Sequence, residues 1–299
     1  MGLIEQAAKR LEELRRAGVE PPRHHAHFAR MPEPAVPVAP TPLEPEIAGP
    51  REPPVHIDLA RLAEAGFVTP DQPDSSLANE FRILKRPLIA NARAPSPDRL
   101  RPRNLIMVTS AIPGEGKTFA AVNLAMSIAM ELDRSVLLVD ADVASPSLTK
   151  TLGVPERRGL LDLLEPGGPA AAQAIVDTNV RNLQYLASGR PHSRTTEALA
   201  SDAMRHLLEE LATRHPERIV IFDSPPLLVT TEARVLANRM GQVVFVVSAE
   251  STLQSDVKQA LATIEECPLK LVVLNRARTP AQGAYGYGYG YGRGGRRKP

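Results

Sequence analysis

Between two apolar stretches the sequence reads TSAIPGEGKTFAAVNLAMSIAM, with Gly114, Gly116, Lys117 and Thr118 in the turn. Glycines let backbone N–H groups crowd around phosphate oxygens, and a helix N-terminus adds partial positive charge. A lysine at this spacing reaches terminal phosphates, and a threonine hydroxyl can ligate magnesium. Pro113, Gly114, Glu115, Gly116, Lys117 and Thr118 are therefore the expected nucleotide-binding set. The strict G-x-x-x-x-G-K-[ST] pattern wants a glycine where this chain has Ala111. Two later segments bring carboxylates: VLLVDADVASPSL carries Asp140 and Asp142, and IVIFDSPPLL carries Asp223. A lone aspartate ending a strand is more often a helix cap. Three of them beside a phosphate loop make a magnesium site with Thr118, because that ion takes oxygen ligands and shares them with phosphate.

These residues need strands and helices to carry them to one place. The runs at 104–109, 135–140, 182–187, 218–223, 242–248 and 270–275 are short and apolar, and several are unbroken, as in strands covered on both faces. Helical stretches separate them. Strand and helix in alternation imply a mostly parallel sheet wrapped by helices on both faces, an α/β fold of the P-loop NTPase type. Ligands bind such sheets at the carboxyl ends of the strands, where both aspartate segments end. One domain of this kind is expected over 76–276.

Ahead of it, SSLANEFRILKRPLIANA spaces Leu77, Phe81, Leu84 and Leu88 along one helical face, with Pro87 expected to end or kink the helix near Arg86. Residues 3–16 space Leu3, Ala7, Leu11 and Leu14 in the same way, which predicts an amphipathic helix within residues 1–18. Eleven prolines between Pro21 and Pro54 leave no apolar run able to offset the entropy of ordering, so residues 19–75 read as a disordered linker.

A net charge of +2 gives no reason to expect specific nucleic-acid binding by the chain as a whole. No run approaches the roughly 18 apolar residues of a spanning helix, and no signal pattern opens the chain, so a soluble, cytoplasmic protein is expected. The only cysteine, Cys267, reads as a buried structural thiol, and Tyr185 as a packing residue of a strand.

The loop A-I-P-G-E-G-K-T, the strand-end D-A-D and the strand-end D-S-P-P, followed by a tyrosine-rich tail, resemble the bacterial tyrosine kinases of exopolysaccharide loci, in particular the autokinases found with exosortase systems. The resemblance extends to F-R-x-L-K-R-P-L at residues 81–88. It implies transfer of the γ-phosphoryl group of Mg-ATP to C-terminal tyrosines, often of a neighbouring subunit in a ring. Lys117, Asp140 and Asp142 then serve catalysis, with Asp142 assisting removal of the tyrosine proton. Thr118, Asp140, Asp142 and Asp223 hold magnesium and its waters. The resemblance also implies a membrane activator of the chain-length-determinant class that recruits the kinase to the inner face of the membrane, and a tyrosine phosphatase. Arg82 and Lys85 stand where family members make ring contacts through E-x-x-R-x-x-R, with Asn79 at the glutamate position and Glu80 one residue off. Ala144 stands where many members have a basic residue.

The chain closes with AYGYGYGYGRGGRRKP. Its glycines predict a disordered segment over 277–299, and Tyr285, Tyr287, Tyr289 and Tyr291 are the expected phosphoacceptors. The alternative readings are a binding tail, for RNA among others, or a body that hydrolyses ATP as partitioning and septum-positioning ATPases do, or one that only scaffolds. Those ATPases carry a second lysine five positions before the last loop lysine, where this chain has Ile112.

Overall fold

The computed structural model describes residues 52–277, apart from Pro97 and Arg99. The helix expected within 1–18, most of the proline-rich stretch and all four tail tyrosines lie outside the described residues. The described chain runs α1 (Leu59–Glu64), α2 (Ser76–Arg93), β1 (Leu105–Ser110), α3 (Lys117–Ala129), β2 (Ser135–Asp140), α4 (Leu148–Leu152), α5 (Leu160–Leu164), α6 (Ala171–Ala174), β3 (Val176–Asp177) and β4 (Leu183–Leu186). It continues with α7 (Thr195–Ala200), α8 (Asp202–Thr213), β5 (Arg218–Asp223), α9 (Thr231–Ala237), β6 (Gln242–Ser248), α10 (Gln254–Ala262) and β7 (Lys270–Asn275).

The strands form one seven-stranded sheet in the order β3-β4-β2-β5-β1-β6-β7. All neighbours are parallel except β3 and β4. The unbroken apolar runs are explained by burial on both faces: every residue of β1 and β5 is buried. Alternation then sorts side chains between two cores. Ile106, Val108, Val136, Leu138, Ile219 and Ile221 face α2 and α3, while Met107, Val139 and Phe222 face the side covered by α8, α9 and α10. Strand β3, only two residues long, carries no periodic signal and was not among the expected strands.

Two expectations change here. Residues 52–75 belong to the folded body rather than to a linker. Val55, Ile57, Leu62 and Val68 are buried, Val55 N donates to Asp177 O at 2.9 Å, and Val68 N donates to Asn123 Oδ1 at 2.6 Å. Val55, Ile57 and Val68 are held through their backbone N–H groups by partners far along the chain, which no local pattern announces. The second change is that α2 does not end near Pro87 but continues to Arg93. Pro87 removes one N–H that would have bonded the carbonyl of Ile83, but both residues are exposed, so water can satisfy that carbonyl. Buried Phe81, Lys85 and Leu88 keep the helix seated.

Candidate active site

Strand β1 delivers the chain into the loop at 111–116, and α3 starts at once behind it. Gly116 is the N-cap of α3 with φ +94° and offers no side-chain cap, so the first N–H groups of the helix are left for an anion. Gly114 also has positive φ, at +85°. At Gly116 a Cβ would stand 2.1 Å from Asn275 Nδ2, so this position excludes a side chain on steric as well as torsional grounds. Ala111, in place of the first glycine, is buried in the core. Leu228 N donates to its carbonyl at 3.1 Å.

Glu115, expected among the nucleotide-binding residues, turns its side chain away from the loop opening. The carboxylate is buried and accepts from Ile112 N at 2.8 Å, from Ser248 N at 3.4 Å and from Thr252 Oγ1. Asn275 Nδ2 donates to the Glu115 carbonyl at 2.8 Å. Glu115 therefore ties the phosphate loop to the ends of β6 and β7, and its backbone is what it contributes to the loop itself. Asn275, the last residue of β7, serves this brace.

Lys117 Nζ lies 2.6 Å from Asp142 Oδ2, and Asp142 Oδ1 accepts from Ser145 N at 3.2 Å. Thr118 Oγ1 and Ser147 Oγ are 2.8 Å apart; nothing local in the sequence marks Ser147 as a partner. Asp140 and Asp223 are register partners at the ends of β2 and β5. Strand alternation turns both toward the α3 side, where Lys117 and Thr118 begin the helix. All four of their carboxylate oxygens are buried and none makes a hydrogen bond of good geometry, although the Thr118 hydroxyl lies against Asp223 and the Asp142 and Leu148 backbone against Asp140. Burial, reinforced by the neighbouring Asp223 and Asp142 charges, pushes Asp140 up to about 8. Burial also pushes Asp223 up to about 7, against the opposing pull of the Lys117 charge.

Among the described residues no three His, Cys, Asp or Glu side chains form a ready-made ion cage. Magnesium takes one or two carboxylates together with substrate phosphates and water. Four buried carboxylate oxygens next to a threonine hydroxyl form a donor set of that kind.

The expected oligomer contacts divide. Glu80 is exposed on α2, and Arg82 is half-buried, donating to Asn79 Oδ1 at 2.5 Å and Pro73 O at 2.8 Å. Lys85 is not available to a neighbour. It is buried, with Nζ 2.5 Å from Ser127 O and 2.7 Å from Glu131 Oε1. Its place on the inner face of α2, one turn from Phe81, explains the difference. Tyr185 is buried in β4 with its hydroxyl 2.9 Å from Thr149 Oγ1, and Cys267 is buried, both as expected.

Residues 101–275 match the ParA family model described as "NUBPL iron-transfer P-loop NTPase". The tyrosine-protein kinase YwqD of Bacillus subtilis (strain 168) is 31% identical over 217 residues, which cover 72% of this chain and 87% of that protein. The chain belongs to the bacterial tyrosine kinases. Among solved structures it is similar to the kinase domain of Escherichia coli tyrosine kinase ETK, with TM-score 0.63 and 26% identity over 81% of this chain and 88% of that one. It is also similar to the chimerical protein CapA2B2, with TM-score 0.61 and 28% identity over 77% and 96%. Other tyrosine-kinase relatives are longer, and the matched region spans 22% to 24% of their length. The ParA match and the kinase relatives meet in the P-loop body. Iron transfer belongs to the model's description, and Cys267 Sγ here points to the carbonyls of Met240 and Leu269.

Proposed function

We propose that the protein is a Mg-ATP-dependent tyrosine autokinase whose acceptors are Tyr285, Tyr287, Tyr289 and Tyr291. The observation that carries this reading is the Lys117–Asp142 pair, set beside the buried carboxylates of Asp140 and Asp223 at the mouth of the phosphate loop. The loop N–H groups and the start of α3 cradle the phosphates. Lys117 exchanges Asp142 for the terminal phosphates, which frees Asp142 Oδ2 to accept the hydroxyl proton of an incoming tyrosine. The tyrosine oxygen bonds to the γ-phosphorus as the bond from phosphorus to the β,γ-bridging oxygen breaks, and ADP leaves. Magnesium fits the Thr118, Asp140, Asp142 and Asp223 set, directly or through water, and would supply neutralisation of phosphate charge. In this reading Ser147 positions the Thr118 hydroxyl and Glu115 holds the loop.

The family resemblance supports a homo-oligomer in which a tail reaches a neighbouring site, a membrane activator of the chain-length-determinant class, a reversing phosphatase and control of exopolysaccharide production. Among the described residues no helix is long and apolar enough to cross a membrane, so membrane recruitment in this reading falls to the partner. Partition of γ-labelled phosphate between protein and water tests the reading. Transfer to the chain supports a kinase, whereas release to water with no label on protein would make it an ATPase.

A further inference from the structure

The carboxyl edge of the sheet carries a second opening, on the side of β2 away from the phosphate loop. Strand β4 pairs with β2, and the turn leaving it, Ala187 to Gly189, walls a cavity of about 1050 Å³ together with α4 and the loop behind it. Four cations, Lys150, Arg157, Arg158 and Arg190, line it against two carboxylates, Glu52 and Glu156. Glu52 is shared, with Oε2 3.5 Å from Arg157 Nη1 and Oε1 3.1 Å from Arg158 Nε. The Arg157 side chain is only 7% exposed, and its Nε is buried with no partner. Among the described residues neither Lys150 nor Arg190 has an ion-pair partner. The backbone carrying Lys150 is fixed by Arg61 Nη2, which donates to the carbonyls of Lys150 and Thr151 at 2.8 Å each.

A concave polar site with surplus positive charge, two of its cations without an ion-pair partner, suits a small dianion such as a phosphomonoester. One segment of this chain changes to that chemistry on reaction. From Arg276 to the end the sequence holds no acidic residue, and it carries Arg276, Arg278, Arg293, Arg296, Arg297 and Lys298, so the unmodified segment is repelled. Each phosphorylated tyrosine adds about 1.5 to 2 negative charges. We propose that this cavity is a phosphotyrosine site for the C-terminal segment, of the same chain or a second copy, and that a tyrosine phosphorylated first and seated there holds the next at the site of transfer. This rests on the kinase reading above.

The dimensions allow it. Five strand intervals separate β7 from β4, about 24 Å. The ten residues from Asn275 to Tyr285 span up to about 33–36 Å. Tyrosines two residues apart in an extended chain project to the same side about 7 Å from each other. The β2 and β4 ends, which carry the aspartate site and the cavity, lie one interval, about 4.8 Å, apart.

The test uses the full-length protein without ATP and a fluorescent peptide of residues 284–292, either unmodified or synthesised with phosphotyrosine at Tyr287, with inorganic phosphate as competitor. The phosphopeptide is expected to bind at least about tenfold more tightly than the unmodified one. The double variant Lys150→Ala, Arg190→Ala, exposed positions outside the transfer site, is expected to lose about that factor. With Mg-ATP, intact-mass time courses should show multiply phosphorylated wild type early. The double variant should accumulate the singly phosphorylated form at an unchanged initial rate. Equal binding of the two peptides, binding untouched by the double variant, or inorganic phosphate binding as tightly as the phosphopeptide would each overturn the proposal. Absence of tail label under Mg-ATP would strike the kinase reading, while the synthetic phosphopeptide tests the cavity by itself.

Discussion

Lys117 and Asp142 form an ion pair, and their proposed roles are separable. Asp142→Asn is expected to lower tyrosine phosphorylation by about 10²- to 10⁴-fold, the usual range for a lost proton acceptor. Without magnesium it should bind a non-hydrolysable ATP analogue as tightly as the wild type or more so, because Lys117 is no longer paired with a carboxylate, and with magnesium that advantage should shrink. Label transfer and analogue titration check the two halves. Asp140 and Asp223 give a prediction in pH. Their folded values, about 8 and about 7, lie above the ordinary 3.8, so the folded state binds more protons than the unfolded state between these limits. Their contribution is fully present below about pH 4 and is lost as pH rises through 7 and 8. In EDTA and without nucleotide, the melting temperature should fall between pH 5 and pH 9. Asp140→Asn should flatten that slope. A melting temperature that rises across this range would contradict the assigned burial.

Strand ends and loops decide whether those side chains meet. Glu115 joins the phosphate loop to β6, so Glu115→Gln is expected to cost about 1–3 kcal/mol in denaturant unfolding and to raise KM for ATP more than it lowers kcat. An unchanged KM would show that the loop holds its shape without this brace. The strands other than β3 and the phosphate loop were legible because their signals are local: an apolar run for a strand, and glycines with a lysine for the loop. Asp140 and Asp223 were legible as strand ends, but their shared register and burial arise only when β2 and β5 pair. Glu115 looked like any loop residue, since its donors from β6 and the following turn lie more than a hundred residues away. The same separation hid the packing of residues 55–68, whose partners lie on α3 and near β3. Pro87 misled because a rule about helix interiors ignores which side of the helix the lost bond faces.

At the scale of the whole molecule, assembly and the tail become the questions. Lys85 is spent within the fold, so Lys85→Met should destabilise the protein by about 2 kcal/mol and leave its sedimentation unchanged. Dissociation of an oligomer without loss of stability would instead place Lys85 at a contact. The central claim, that this body transfers phosphate to its own tyrosines, is tested most directly by phosphotyrosine mass spectrometry after incubation with Mg-ATP. The wild type is compared with Lys117→Met, with a fragment of the membrane activator added if the protein alone is silent. Phosphate is expected on Tyr285, Tyr287, Tyr289 or Tyr291 in the wild type and none in the variant. An unlabelled tail in a protein that hydrolyses ATP, or equal labelling of the variant, would contradict it.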